Sequence, residues 1–386
     1  MKLKKLIHEI KKINSKKWYK LINQINIEFE HNGKYWKLIN KIRKSSTKII
    51  LNNKNLEKTY FDYCKEISKK PERKIIKLIK EHYFKKFEDL KPMDTSEIFS
   101  LENIYELIKY QKNKAVKDFD KIQFYKLDPK KKNQKEYLYF LKNVQKIFLY
   151  WIDNPREEII NFIKERNILF IHKAGDEGVP LNYRPISINN TLARFFLKLI
   201  YKGIEDSWSL VSDSQFGFKK KLDTRIAVLN LLFELEKLKK KYKNKDFFIV
   251  TIDIKKCFDT ISHILVHYAL NKYIKNEKIK IWLQKYYKNE GIGVYQGYHL
   301  SSLMFGYISH LLIEEIKYFV HHVQMFADDL ILIMEGPISE IDKKLIIIFK
   351  IIQEFEMNPN TKKTLKSNQL SKIKYLGIWI EKKKHF

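Results

Sequence analysis

Asp328 and Asp329 sit side by side between two apolar runs, Val323 to Phe326 and Leu330 to Met334. Read as a β-hairpin, this segment carries two like charges at its tip. Adjacent carboxylates repel each other, and a hard cation such as Mg²⁺ resolves that conflict because it takes carboxylate oxygens. A further carboxylate, Asp253, follows Phe247 to Ile252, a run of β-forming residues that reads as a buried strand. If the two strands are neighbours, three acids converge on one point. Two Mg²⁺ ions held there, or Mn²⁺ in their place, activate an attacking hydroxyl and stabilise a leaving pyrophosphate. Taken alone, an Asp-Asp pair is more often only the polar tip of a hairpin, so the neighbourhood has to decide.

That neighbourhood is specific. Thr251-Ile252-Asp253-Ile254-Lys255-Lys256-Cys257-Phe258-Asp259 is followed by Gln296-Gly297 with Leu300-Ser301, then by Phe326-Ala327-Asp328-Asp329. Asn360-Thr361-Lys362-Lys363-Thr364 and Tyr375-Leu376-Gly377 come next. Upstream lie Asn182-Tyr183-Arg184-Pro185-Ile186-Ser187 and Gln215-Phe216-Gly217-Phe218. These blocks, in this order, resemble the motifs of reverse transcriptases. Among them they are similar to those of the non-LTR, LINE-type retrotransposon enzymes. Lys34 to Arg43, Phe99-Ser100-Leu101-Glu102 and Lys114-Ala115 resemble segments that precede the polymerase in such elements, so the resemblance runs from 34 to 380. Departures are visible too. Val116 and Lys117 replace a Pro and a Gly, and the part from Asp120 to Ile122 is offset by one residue. Tyr295 and Ser302 replace the prolines that flank the Gln-Gly and Leu-Ser pairs, and Lys219 stands in for an Arg.

The resemblance implies a role for each matching residue. Asp253, Asp328 and Asp329 would be the catalytic metal ligands. Lys173 and Arg184 would neutralise the incoming triphosphate, Arg184 by gripping phosphate oxygens in a fork; either is otherwise surface charge. Phe258 would be a steric gate against a ribose 2′-OH, or else plain core. Gln296 and Gly297 would approach template and nucleotide, glycine allowing close backbone contact. Lys363 would protonate the pyrophosphate, unless it is one more exposed lysine. Asp259 reads as structural and Cys257 as small packing. Because proline presets a loop, its replacements at 295 and 302 imply looser nucleotide positioning.

The elements that must position these residues mix without strict βαβ alternation, which points to α+β. Helical patterns cover 95–127, a stretch ending near Asn154-Pro155, Thr191–Ile204, Thr224 to Lys241, Ile261–Asn289, Leu300–Phe319 and 338–356. Ile168–Ile171 and Ile373–Ile380 read as short strands, 128–136 as a loop, and Gly175 to Gly178 and Asn358-Pro359 as turns. The expected organisation is a helical, Lys-rich region at 1–94, fingers and their leading helices at 95–245, and palm at 246–386. Tyr375-Leu376-Gly377 resembles the primer-grip motif of the family, and a thumb beyond it is expected to be absent or supplied elsewhere. In the N-terminal region, Lys17-Trp18-Tyr19-Lys20-Leu21-Ile22-Asn23 and Lys34-Tyr35-Trp36-Lys37-Leu38-Ile39-Asn40 are two similar stretches. Their aromatics read as core-facing stripes with solvated lysines, or less often as stacking platforms for single-stranded bases.

Composition agrees with a polyanion partner. Lys and Arg number 76 against 45 acids, a net charge of +31, which favours nucleic acid through counterion release. Over-use of Lys, Asn and Ile by an AT-rich genome gives the same balance without selection for binding. No run of about 18 apolar residues suggests a membrane span, and no secretory signal is present. Cys64 and Cys257 have no metal-ligand spacing, His321-His322 draws no metal assignment, and a reducing intracellular compartment is expected. The expected partners are an RNA template, a DNA or RNA primer and dNTP, in the nucleus for a LINE-type element. Two other readings stand beside the RNA-directed DNA polymerase: an RNA-binding scaffold on a retired active site, and a group II intron maturase-like protein, then mitochondrial.

Overall fold

The computed structural model describes residues 49–50, 93–110, 134–173, 175–176, 179, 182–242, 247–288, 291–368 and 373–380. The Trp18 and Trp36 stretches, Cys64, Lys114 to Ile122 and the loop start at Asp128-Pro129 lie outside the described residues. Two compact units divide the chain: Met1–Tyr60 with Leu169–Pro185, and Phe61–Ile168 with Ile186–Phe386.

In the first unit, β1 (Ile49–Ile50) pairs antiparallel with β2 (Arg166–His172), Ile49 opposite Ile171 and Ile50 opposite Phe170. The Lys173 N–H donates to the Asn182 carbonyl at 2.7 Å, and the chain then enters β3 (Tyr183–Asn189). The His172 ring packs on Tyr183 with centroids 5.0 Å apart.

The second unit opens with α1 (Thr95–Ile98), α2 (Leu101–Tyr110), α3 (Gln134–Asp153) and α4 (Glu157–Lys164), followed later by α5 (Thr191–Ile204) and α6 (Thr224–Lys241). Polar caps fix where the helices begin. The Asn190 side chain accepts from Ala193 N–H at 2.8 Å, and Asp223 accepts from Arg225 and Ile226 at 2.9 and 3.0 Å. Each such cap stabilises its helix by about 1 kcal/mol. Phe99 stacks on Phe196 at 5.3 Å, and Phe148 and Trp151 close around that pair.

The main sheet is antiparallel. It contains β4 (Phe247–Lys255), β5 (His322–Phe326), β6 (Asp329–Glu335), β7 (Asn358–Pro359) and β8 (Leu365–Asn368), in the order β5-β6-β4-β7 with β8 also on β4. Side chains alternate across it. Val250, Ile252, Leu330 and Leu332 join one core with α7 (Cys257–Thr260), α8 (His263–Tyr273), α9 (Glu277–Tyr286), α10 (His299–Ile316) and α11 (Ile338–Glu354). Phe247, Ile249, Ile331 and Ile333 join a second core with α6 and the hairpin β9 (Ile373–Tyr375) and β10 (Ile378–Ile380). Burial on both faces explains why β4 and β6 read as continuous apolar runs. The fold is α+β, as expected.

Several expectations need correction. β4 does not end at Asp253: Ile254 and Lys255 pair with Pro359 and Asn358, so the expected turn at 358–359 is a short strand. The pattern over Ile261–Asn289 breaks at residues 274–276, where Asn276 caps a new helix by accepting from Ile279 N–H at 3.0 Å. Ile373–Ile380 is a hairpin, turning at Leu376 and Gly377, both at positive φ. Residues 134–136 open α3 and are not loop. α4, β3 and β8 escaped the pattern reading. Among the described residues no helix is long and apolar enough to cross a membrane.

Candidate active site

β5 and β6 are joined by only two residues, Ala327 and Asp328, with Phe326 opposite Asp329. Two-residue hairpins take primed turns, which demand positive φ, and Ala327 sits at φ +54°. For a residue with a Cβ that conformation costs about 1–2 kcal/mol. The β4–β6 register sets Asp253 directly across from Asp329. The strands are neighbours, as the spacing of acids required.

Asn360, buried just past β7, fixes Asp253 twice. Its N–H donates to the Asp253 carbonyl at 2.7 Å, and its Nδ2 donates to Asp253 Oδ2 at 2.8 Å. Sequence reasoning placed Asn360 in a motif and gave it no role; a buried amide following a strand-pairing Pro359 is visible only in three dimensions.

The two neighbouring aspartates act on different surroundings. Burial pushes the Cys257 thiol well above its usual range, and the charges of Asp328, Asp259 and Asp253 push it further. Burial likewise raises the Tyr375 phenol against an opposing bond from Gln324, and there it is Asp329 that adds to the rise. Among the described residues no three His, Cys, Asp or Glu side chains gather into a preformed metal cage. The donor set is nevertheless all carboxylate oxygen, carried on paired strands and the turn between them, which is the chemistry a hard divalent ion takes.

Around the aspartates, Phe258 stacks on Phe305 at 5.2 Å and meets Phe218 edge-on at 5.8 Å. Gln296 receives a bond from Ser187 N–H on its carbonyl (2.9 Å), while its Nε2 reaches Asp259 Oδ1 at 3.4 Å. Gly297 has φ +111°, and a Cβ there would lie 3.2 Å from Ile186 Cγ2 and Ser187 O. Within the second unit, the close approach this glycine permits is to Ile186 and Ser187. Tyr295, in place of proline, carries the Arg166 guanidinium 3.7 Å above its ring and meets Tyr286 and Tyr298 edge-on. Ser302 donates its N–H to Tyr298 O at 3.2 Å inside α10, a bond proline cannot make. Lys219 is half-buried and structural: its Nζ donates to Val211 O (2.8 Å) and Ser212 O (3.0 Å), and burial lowers its pKa against an opposing push from Asp213.

Lys173 and Arg184 are exposed and belong to the first unit. Lys363 ends a single 3₁₀ turn, Thr361–Lys363, and its side chain lies outside the described residues. His321 bonds Glu335 at 2.7 Å and His322 bonds Gln324 at 3.1 Å, both structural contacts.

Comparison with known proteins bears on this arrangement. A stretch of 102 residues is 31% identical to the Retrovirus-related Pol polyprotein from type-1 retrotransposable element R2 of Popillia japonica. It covers 26% of this chain and 14% of that polyprotein's length. Apo telomerase from Candida tropicalis is similar at 14% identity and TM-score 0.42, over 75% of this chain and 65% of that one. Telomerase from Candida albicans with a TWJ fragment of telomeric RNA gives 15% identity and TM-score 0.41, over 57% and 45%. The family model described as Reverse transcriptase (RNA-dependent DNA polymerase) matches residues 171–380. That span is more than half of the chain and includes every candidate site residue, and the protein belongs to the reverse transcriptase family.

Proposed function

We propose that the chain is an RNA-directed DNA polymerase of a retrotransposon-like element, joining dNTPs to a primer 3′-OH on an RNA template. The observation that carries the reading is the register of Asp253 opposite Asp329, with Asp328 in the turn between the paired strands, inside the family match. Asp253, Asp328 and Asp329 would hold two Mg²⁺ ions, or Mn²⁺, which when bound supply Lewis acidity to the attacking and leaving oxygens. Asn360 keeps the Asp253 carboxylate in one orientation. Lys173 and Arg184 bind the triphosphate, and Phe258, braced by Phe305, excludes a 2′-OH. Gln296 and Gly297 orient template and base, and Lys363 gives a proton to the departing pyrophosphate. On this reading residues 95–245 are fingers and 246–386 palm. The protein works in association with nucleic acid inside the cell, in the nucleus for a LINE-type element.

The test is primer extension on an RNA template with Mg²⁺ and dNTPs, comparing the wild type with Asp328→Asn. Extension by the wild type alone supports the polymerase. No extension by either, with RNA binding intact, overturns it and leaves the scaffold.

A further inference from the structure

The Gln215-Phe216-Gly217-Phe218 block takes no part in the proposed chemistry. Its geometry is unusual. Residues 214–216 run beside β5: Met325 N–H donates to Ser214 O at 2.7 Å, Phe216 N–H donates to Met325 O at 2.8 Å, and Gln215 forms a parallel bridge to Met325. The Gln215 side chain is wholly buried. Its Oε1 accepts from the N–H groups of Gly217 (2.8 Å) and Ala327 (3.1 Å). Its Nε2 donates to Ser309 Oγ (3.0 Å) and to the Ala327 carbonyl (3.3 Å). Ser309 in turn donates to Gly306 O at 2.9 Å within α10.

One carboxamide therefore holds both the N–H and the C=O of Ala327, the residue at positive φ immediately before Asp328. A two-residue turn has no backbone ladder of its own to do this. Hydrogen bonds from a buried side chain supply what a neighbouring strand would supply elsewhere. Gly217 completes the contact, since a Cβ there would fall 2.2 Å from Ala327 N. The same amide reaches α10 through Ser309, and α10 begins two residues after the Gln296-Gly297 pair.

We infer that Gln215 is a positioning residue for the catalytic turn: it locks Ala327 in its left-handed conformation and so fixes the direction in which the Asp328 carboxylate leaves the sheet. This rests on the polymerase reading for its consequence in catalysis, while the locking of the turn stands independently of it. Gln215 itself touches neither nucleotide nor primer.

The experiment compares the full chain with Gln215→Met, Gln215→Glu and Gly217→Ala. Methionine keeps the length and apolar body of glutamine and removes all four bonds. Glutamate keeps the oxygen that accepts from Gly217 and Ala327. Two readouts are taken: amide hydrogen exchange of the peptide spanning 322–331 without nucleic acid or metal, and the dependence of primer extension on dNTP and Mg²⁺. In Gln215→Met, exchange at Ala327 speeds up at least tenfold while peptides of α8 and α9 stay unchanged. Its kcat falls about ten- to a hundredfold, the range for losing a residue that orients a metal ligand, with KM for dNTP within about twofold. Gln215→Glu restores slow exchange at Ala327, and Gly217→Ala mimics the methionine variant. Unchanged exchange in Gln215→Met, or loss of kcat only in proportion to unfolded protein, overturns the inference. If the wild type extends no primer, the polymerase reading fails, and the exchange data alone decide whether Gln215 holds the turn.

Discussion

Asp328 and Asp329 are adjacent in sequence, yet Asp328 lies in the two-residue turn while Asp329 opens β6 and is paired with Phe326 and Asp253. The freer turn position suits a metal ligand better than the strand position, so their substitution should differ in effect. Asp253→Asn and Asp328→Asn are expected to lower the rate of primer extension about a thousandfold, several kcal/mol of lost charge stabilisation. Asp329→Asn should cost less. Equal losses at 328 and 329, measured by single-turnover extension, would contradict that ranking. Asn360→Ala removes the amide that orients Asp253, and should cost about ten- to a hundredfold in rate, with the melting temperature nearly kept. Phe258→Ala opens the space against Phe305 and should raise rNTP incorporation relative to dNTP; unchanged sugar selection would remove Phe258 from the gate.

At the scale of elements, buried polar groups act as fasteners between segments. His310 on α10 accepts from Ser212 N–H through Nδ1 at 3.1 Å, and burial depresses its pKa to about 4, with nearby cations adding to the fall against an opposing push from Glu314. The unfolded chain takes up that proton near pH 6.5. Between pH 6.5 and about 4 the unfolded state binds more protons, so stability is lost as pH falls through that window. The melting temperature should decline from pH 7 to pH 5, and His310→Gln should flatten part of the decline. Such fasteners mark the limit of what the chain's pattern discloses. β4, β5, β6, α5 and α6 are legible because their apolar residues follow the period of the element or are buried on both faces. The facing of Asp253 and Asp329 is legible only as a conditional, because strand adjacency is a long-range fact. Asn360 and Gln215 are not legible at all: the partner of one amide is a carboxylate 107 residues away, and that of the other is a backbone N–H 112 residues away. β7 is hidden by its own Pro359, a residue that in sequence argues for a turn.

For the molecule as a whole, a net charge of +31 has two origins to separate. If the lysines and arginines meet phosphates, affinity for a primer–template should fall about a thousandfold between 50 and 200 mM salt. A fall of less than tenfold would make the charge a mark of composition alone. The Tyr295 position poses a related question, because Arg166 stacking on its ring replaces the stiffness of proline. Exposed cation–π pairs contribute about 0.5–1 kcal/mol and desolvated ones about 2. Arg166→Met should then raise KM for dNTP severalfold, measured with template fixed, by loosening the loop that carries Gln296.

The pairing of β4 with β6 also constrains how this protein can change over generations. Strand side chains repeat with period two, and every position from Leu330 to Met334 is buried. Deleting one residue there would exchange the occupants of two cores and move an aspartate to the wrong side of the sheet at once. Lengthening or shortening by single steps is closed to this hairpin, whereas substitution, or a paired change of two residues, remains open. A library of single-residue deletions across 322–335 should yield almost no soluble members. The β5–β6 hairpin is, in lineage terms, a segment that drifts in letters and holds its length.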